Sequence, residues 1–133
     1  MAHALDLKVK GTELWVLEAG DDLQEGIARM AAERGVNRGI VVSAFGSLST
    51  LCVANPAGPS QPPPMQVTTE SGPFEILNVT GTIGSVAVPT DSLHGQVHVH
   101  VAASGKDGRV LGGSLRPGTK VFWKAQLNVL VLE

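Results

Sequence analysis

Apolar and polar residues alternate from near the start of the chain. Leu5, Leu7 and Val9 point one way and Asp6, Lys8 and Lys10 the other. A period of two is the mark of a strand with one face buried. Ala4–Lys10 and Glu13–Glu18, joined at Gly11-Thr12, therefore read as an opening hairpin. The period then changes. Leu23, Ile27, Met30 and Ala31 recur at helical spacing, Asp22 with Glu25 three residues on fits an N-cap box, and Gly35 stands where a C′ glycine belongs. This pattern predicts a helix over Asp22–Arg34.

The remaining pattern is strand-like. Gly39–Phe45 and Leu48–Ala54 flank Gly46-Ser47; Met65–Glu70, Phe74–Ile83 and a short Val86–Val88 follow. Between them, Asn55–Pro64 holds so many prolines that it cannot donate a regular ladder and reads as an exposed loop. Leu93–Ala103 alternates strictly, Asp107-Gly108 is a turn, and Arg109–Leu115 returns. Lys120–Leu132 places Val121, Trp123, Ala125, Leu127, Val129 and Val131 on one face. The expected fold is α+β: a mostly antiparallel sheet with one main helix packed on it, in a single domain over residues 1–133.

Composition narrows the function classes. The 133 residues carry 10 basic and 12 acidic side chains, a net of −2, which disfavours a strongly electrostatic nucleic-acid binder acting as a monomer. The balance is uneven. The final forty residues hold the basic cluster Arg109, Arg116, Lys120 and Lys124, whereas the acidic groups concentrate earlier. Aromatics are 4% of the chain with no tyrosine, so stacking platforms for bases are scarce. No apolar run approaches the roughly 18 residues of a membrane span. The lone Cys52 excludes an internal disulfide, and its apolar strand makes it an unreactive core thiol rather than a nucleophile. A cytoplasmic protein without membrane contact is expected. Its apolar excess favours self-assembly.

One constellation carries chemistry. His94, His98 and His100 occupy even positions of Leu93–Ala103, with Val97, Val99 and Val101 between them, so an extended backbone puts the three imidazoles on one face. His98 and His100 lie roughly 7 Å apart along the strand, close enough to converge on one ion. Three imidazoles around a divalent metal such as zinc leave a fourth position for water, the arrangement of catalytic zinc sites. No clear general base accompanies them; Glu75 and Asp91 are candidates only by proximity in sequence. The alternative is a polar sheet face that binds nothing. Gly46 and Gly112-Gly113 mark bulges or close backbone approach, since no helix follows them in phosphate-loop order.

Several motifs in order resemble the plant-and-prokaryote conserved (PPC) domain: Glu18-Ala-Gly-Asp-Asp-Leu, Ser43-Ala-Phe-Gly-Ser-Leu, Phe74-Glu-Ile-Leu with Thr80-Gly-Thr-Ile, His98-Val-His-Val, Asp107-Gly-Arg-Val and Gly112-Gly-Ser-Leu. The resemblance covers about Leu5 to Leu132. It implies a homotrimer with a DNA-associated or regulatory role. It does not bring the Arg-Gly-Arg-Pro hook of the plant proteins, which is absent here, and Pro73 stands where plant members carry arginine. Weak or no direct DNA binding is therefore expected. Stand-alone prokaryotic members often show His-x-His followed by Gly-Gly-His-Leu as a metal triad; His98 and His100 match it, but Ser114 stands in place of the third histidine, so either the metal is lost or His94 replaces the missing ligand. The alternative function is a metal-dependent, zinc-type hydrolase or lyase acting on a small carbonyl substrate. A third is a small-molecule-binding trimer without catalysis.

Overall fold

The computed structural model describes residues 2–86 and 97–133. His94, Asp91, most of the short strand expected at Val86–Val88 and the beginning of Leu93–Ala103 lie outside the described residues. The elements are β1 (Val9–Glu18), α1 (Leu23–Arg34), β2 (Gly39–Pro56), β3 (Met65–Ile83), β4 (Val97–Ser104), β5 (Val110–Leu115) and β6 (Lys120–Leu132).

All neighbouring strands run antiparallel, in the order β1-β6-β2-β3-β4-β5. The far end of β2 also pairs with β5, Val53 opposite Leu115 and Ala54 opposite Ser114. Strands β2, β3, β4 and β5 thus form a closed circuit of hydrogen-bonded neighbours, while β6 and β1 extend the sheet from the near half of β2. Closure covers the Ser114–Leu115 end of the edge that β5 would otherwise present.

The α+β expectation is corrected. Among the described residues 61% lie in strands and 10% in the one helix, the balance of a β fold. The physical reason is that expected strand breaks are bulges. At Gly46-Ser47 and near residues 71–73 the register shifts but the ladder continues, so two pairs of expected strands become the 18-residue β2 and the 19-residue β3. Gly46 has φ +141, and a Cβ there would stand 2.1 Å from the Lys124 carbonyl oxygen, so only glycine lets β2 and β6 close up at this point. The opening hairpin is also corrected. Gly11-Thr12 does not turn; β1 passes through a register irregularity between Val9 and Gly11 and pairs with β6.

The core follows the alternation. Trp15 and Leu17 of β1, Val41 and Leu48 of β2, and Val121, Ala125, Leu127 and Val129 of β6 are almost wholly buried. Leu17 lies against the helix: its methyl carbons stand 3.0 and 3.1 Å from where a Cβ on Gly26 would be, so this helical glycine marks a close approach to the sheet. Trp123 departs from its expected inner face and is 74% exposed. Gly46 pairs with Ala125 and Leu48 with Val121, so residues 122–124 of β6 bulge opposite the single residue Ser47 and lose the phase.

The helix begins as expected. Asp22 has extended backbone, and its Oδ1 accepts from the Glu25 amide at 3.0 Å. Gly35 closes the other end in the left-handed region, donating to the carbonyls of Ala31 and Ala32. Asp22 does more than cap. Its Oδ2 accepts from the Gly118 amide at 2.7 Å and faces Lys120 Nζ at 3.7 Å, and the Leu23 amide donates to the Thr119 carbonyl. The buried Thr119 hydroxyl donates to the Cys52 carbonyl and accepts from the Cys52 amide, both at 2.9 Å. The turn between β5 and β6 is thereby tied to the helix start and to β2.

At the other helix end, the Arg34 guanidinium donates to both Glu13 carboxylate oxygens, at 3.0 and 3.2 Å, and Trp15 Nε1 donates to Oε1 at 2.9 Å. The Arg34 bond, then the Trp15 bond, holds the Glu13 carboxyl below the usual carboxylate range.

Two outcomes are expected. Asp22→Ala removes a cap worth about 1 kcal/mol and leaves the Gly118 amide short of its acceptor at about 1–3 kcal/mol, so urea unfolding should report a loss of about 2–4 kcal/mol; Asp22→Asn, which keeps the cap, should lose less. A loss below about 0.5 kcal/mol for the alanine variant would mean the tie is not structural. Because the folded Glu13 pKa is depressed, its contribution is present above the unfolded value and vanishes as pH falls through the folded one. Solvent screening keeps that contribution small. Glu13→Gln should therefore melt slightly below the parent protein at neutral pH, and the two melting temperatures should converge in acid.

Candidate functional site

Strand β4 displays the expected phase. Val97, Val99 and Val101 are buried inside the closed circuit, while His98 and His100 point outward and are exposed. Their ring centroids are 5.7 Å apart with planes at 77°. In the ladder, His98 stands opposite Thr82 of β3, and His100 opposite Thr80 of β3 and Ser114 of β5. The pairing places Ser114 beside His100 on the same outer face.

Both histidines open into a cleft of about 710 Å³. Its lining includes Pro62 and Pro63 of the loop after β2, Met65 at the start of β3, Ser114 of β5, Arg116 and Pro117 of the following turn, and Gln24 from the first turn of α1. Arg116 Nη1 donates to Ser114 Oγ at 3.0 Å and to the Leu115 carbonyl at 3.3 Å. Asn55 Nδ2 donates to the Gly112 carbonyl at 2.9 Å and fixes the neighbouring backbone; a Cβ on Gly113 would come within 2.6 Å of the Asn55 amide. The double glycine thus permits close backbone approach, as its position beside a strand suggested. The Gln24 Oε1 atom is buried and has no hydrogen-bond partner among the described residues.

The sequence-predicted site residues are partly united. His98 and His100 are together; His94 and Asp91 lie outside the described residues. Glu75 stands opposite Ser104 at the far end of β4 and lines a different depression beside Trp123, so it does not belong to this site. Among the described residues no group of three or more His, Cys, Asp or Glu side chains is gathered. Among the described residues a metal would find two imidazoles here and, at the position of Ser114 on the outer face, a hydroxyl already bound to a guanidinium. Gln24 and Arg116 as cleft residues escaped the sequence reading. Arg116 stood out only by charge, and a glutamine in a first helical turn carries no signal.

The basic cluster is largely neutralised. Arg109 pairs with Glu70 at 3.1 Å, Lys120 with Asp22 at 3.7 Å and Lys124 with Glu18 at 3.4 Å. Among the described residues Arg116 is in no ion pair with a carboxylate. Cys52 is buried, and its sulfur accepts from the Thr69 hydroxyl at 3.3 Å. No helix of the described residues is long and apolar enough to cross a membrane.

These features define a small antiparallel β domain with one capping helix and an outward-facing histidine cleft. The model of the Plants and Prokaryotes Conserved (PCC) domain matches residues 10–133, and the chain belongs to that family. It is 31% identical over 110 residues to a bifunctional GlmU protein of Synechococcus sp. (strain JA-3-3Ab); the match takes in 81% of this chain and 15% of the much longer relative. Among solved structures, a metal-containing protein from Archaeoglobus fulgidus superposes with a TM-score of 0.79 at 25% identity, over 99% of this chain and 86% of that one. A protein from Bacteroides thetaiotaomicron that bears a provisional DNA-binding name superposes with a TM-score of 0.75 at 18% identity, over 93% and 80% of the two chains.

Proposed function

We propose that this chain works as a homotrimeric PPC-domain module with a regulatory role, contacting DNA weakly if at all. The observation that carries the assembly is the sheet face turned away from the helix. Trp15 and Leu17 face the helix side, so Leu14 and Val16, which alternate with them, occupy the opposite face, where Phe45 of β2 stands opposite Gln126 of β6. Leu14, Val16 and Phe45 are 56%, 38% and 61% exposed. Three of five aromatics, Phe45, Phe122 and Trp123, are exposed in a chain that has few to spare. An apolar face of this kind is covered by further copies of the chain. The DNA-associated role is supported by family membership and by the provisional name of the Bacteroides neighbour. The carboxylates beside Arg109, Lys120 and Lys124 keep it weak.

Sedimentation at micromolar concentration should report three chain masses, and Val16→Glu should dissociate the assembly. The trimer should bind duplex DNA only at low salt, since contacts to phosphate lose affinity steeply as salt rises. A monomeric parent protein would overturn the assembly.

A second reading rests on the adjacent rings of His98 and His100 and on the metal content of the Archaeoglobus neighbour. A divalent ion such as zinc would be held by His98, His100 and His94 and would serve as a Lewis acid for a hydrolase or lyase acting on a small carbonyl substrate. His98 and His100 would orient it and exclude water from one side. Elemental analysis of the purified protein should then show about one zinc-type ion per chain. Replacement of His98 or His100 by alanine should abolish uptake, and Ser114→His should tighten it. A protein that takes up no zinc, nickel or manganese at neutral pH leaves only the assembly reading.

A further inference from the structure

We propose that the cleft between α1, the β2–β3 loop and β5 binds a small organic carboxylate that has an apolar body and an uncharged hydrogen-bond donor. Arg116 is its anchor. This goes beyond the trimer and needs no metal ion.

Three observations converge. The first is charge: among the described residues the cleft is lined by one guanidinium and two imidazoles and by no carboxylate. An anion entering it meets only cationic or neutral groups among the described residues, and an ammonium group would find no carboxylate to pair with there. Arg116 spends a single nitrogen, Nη1, on both of its bonds, to Ser114 Oγ and the Leu115 carbonyl. Those bonds fix the orientation of a planar fork whose geometry matches a carboxylate. The second is the orphan acceptor. Gln24 Oε1 is buried without a partner among the described residues, a state that costs about 1–3 kcal/mol unless something donates to it. A ligand hydroxyl supplies that donor. The third is shape and polarity: about 710 Å³ is the size of a small-molecule site, and Pro62, Pro63 and Met65 give it an apolar wall. Ser114 joins these features. Its hydroxyl holds the guanidinium on the outer face beside His100, so the positive charge there belongs to a side chain.

The test is a titration of isotope-labelled full-length protein, stripped with EDTA, with mandelate as probe: carboxylate, hydroxyl and apolar ring in one molecule. Saturable amide shifts at Gly113, Ser114, Arg116 and Gln24 are expected. Mandelate should bind more tightly than phenylacetate, which lacks the hydroxyl, and phenylacetate more tightly than benzyl alcohol, which lacks the carboxylate. Arg116→Met should weaken mandelate binding at least about tenfold. Gln24→Leu should erase the preference for mandelate over phenylacetate while leaving phenylacetate binding within about twofold. Should Arg116→Met fold poorly, Ser114→Ala, which frees the guanidinium without removing it, should weaken mandelate about threefold. The proposal is overturned by an absence of cleft shifts up to tens of millimolar probe, or by equal binding of benzyl alcohol and mandelate. Mandelate binding that appears only when zinc is restored also overturns it, because the anchor would then be the ion.

Discussion

The Asp22 carboxylate is the junction on which the arrangement depends. One oxygen caps the helix and the other takes the Gly118 amide, so a single side chain welds α1 to the β5–β6 turn. Those two elements supply Gln24, Arg116 and Pro117 to the cleft. The cleft is therefore no more rigid than this carboxylate makes it. Burial raises the stakes, since Asp22 is 8% exposed and a polar group so enclosed must keep its partners. Thr119, wholly buried and bonded twice to Cys52, extends the junction into the sheet.

A closed circuit of strands explains why the site faces outward. The interior of β2–β5 is filled by valines and by larger apolar side chains such as Leu51, Phe74, Ile76 and Leu115. Alternation then assigns every second residue of β4 to the outside, and register with β5 decides who stands next to His100. That neighbour is Ser114. A hydroxyl there recruits Arg116, whereas an imidazole would have competed for an ion.

The helix, its two caps, β6 and the phase of His98 and His100 were legible in the sequence, because each rests on local periodicity or local capping. Long strands were not. Gly46-Ser47 and the Gly72-Pro73 step look like breaks when read locally, but the partner strand bridges them, and a bulge is a property of two strands rather than one. Trp123 shows the same limit: its position in the alternation is correct until the β2–β6 register shifts around it. Family membership was visible in the order of motifs spread along the chain. The cleft was hidden, since Gln24, Pro62 and Arg116 are brought together only by the fold.

Strand β6 lies between β1 and β2, and β1 has no other partner in the sheet. Residues 9–18 therefore wait for residues 120–132 before they gain a single ladder bond, and the near half of β2 waits with them for its second neighbour. Sheets built on such distant pairings form slowly, because the loop must close before any contact rewards it. Until β6 arrives, Trp15 and Leu17 are unsheltered, on a strand with both edges open. The time a nascent chain spends in that state, more than the stability of the finished sheet, sets its exposure to aggregation.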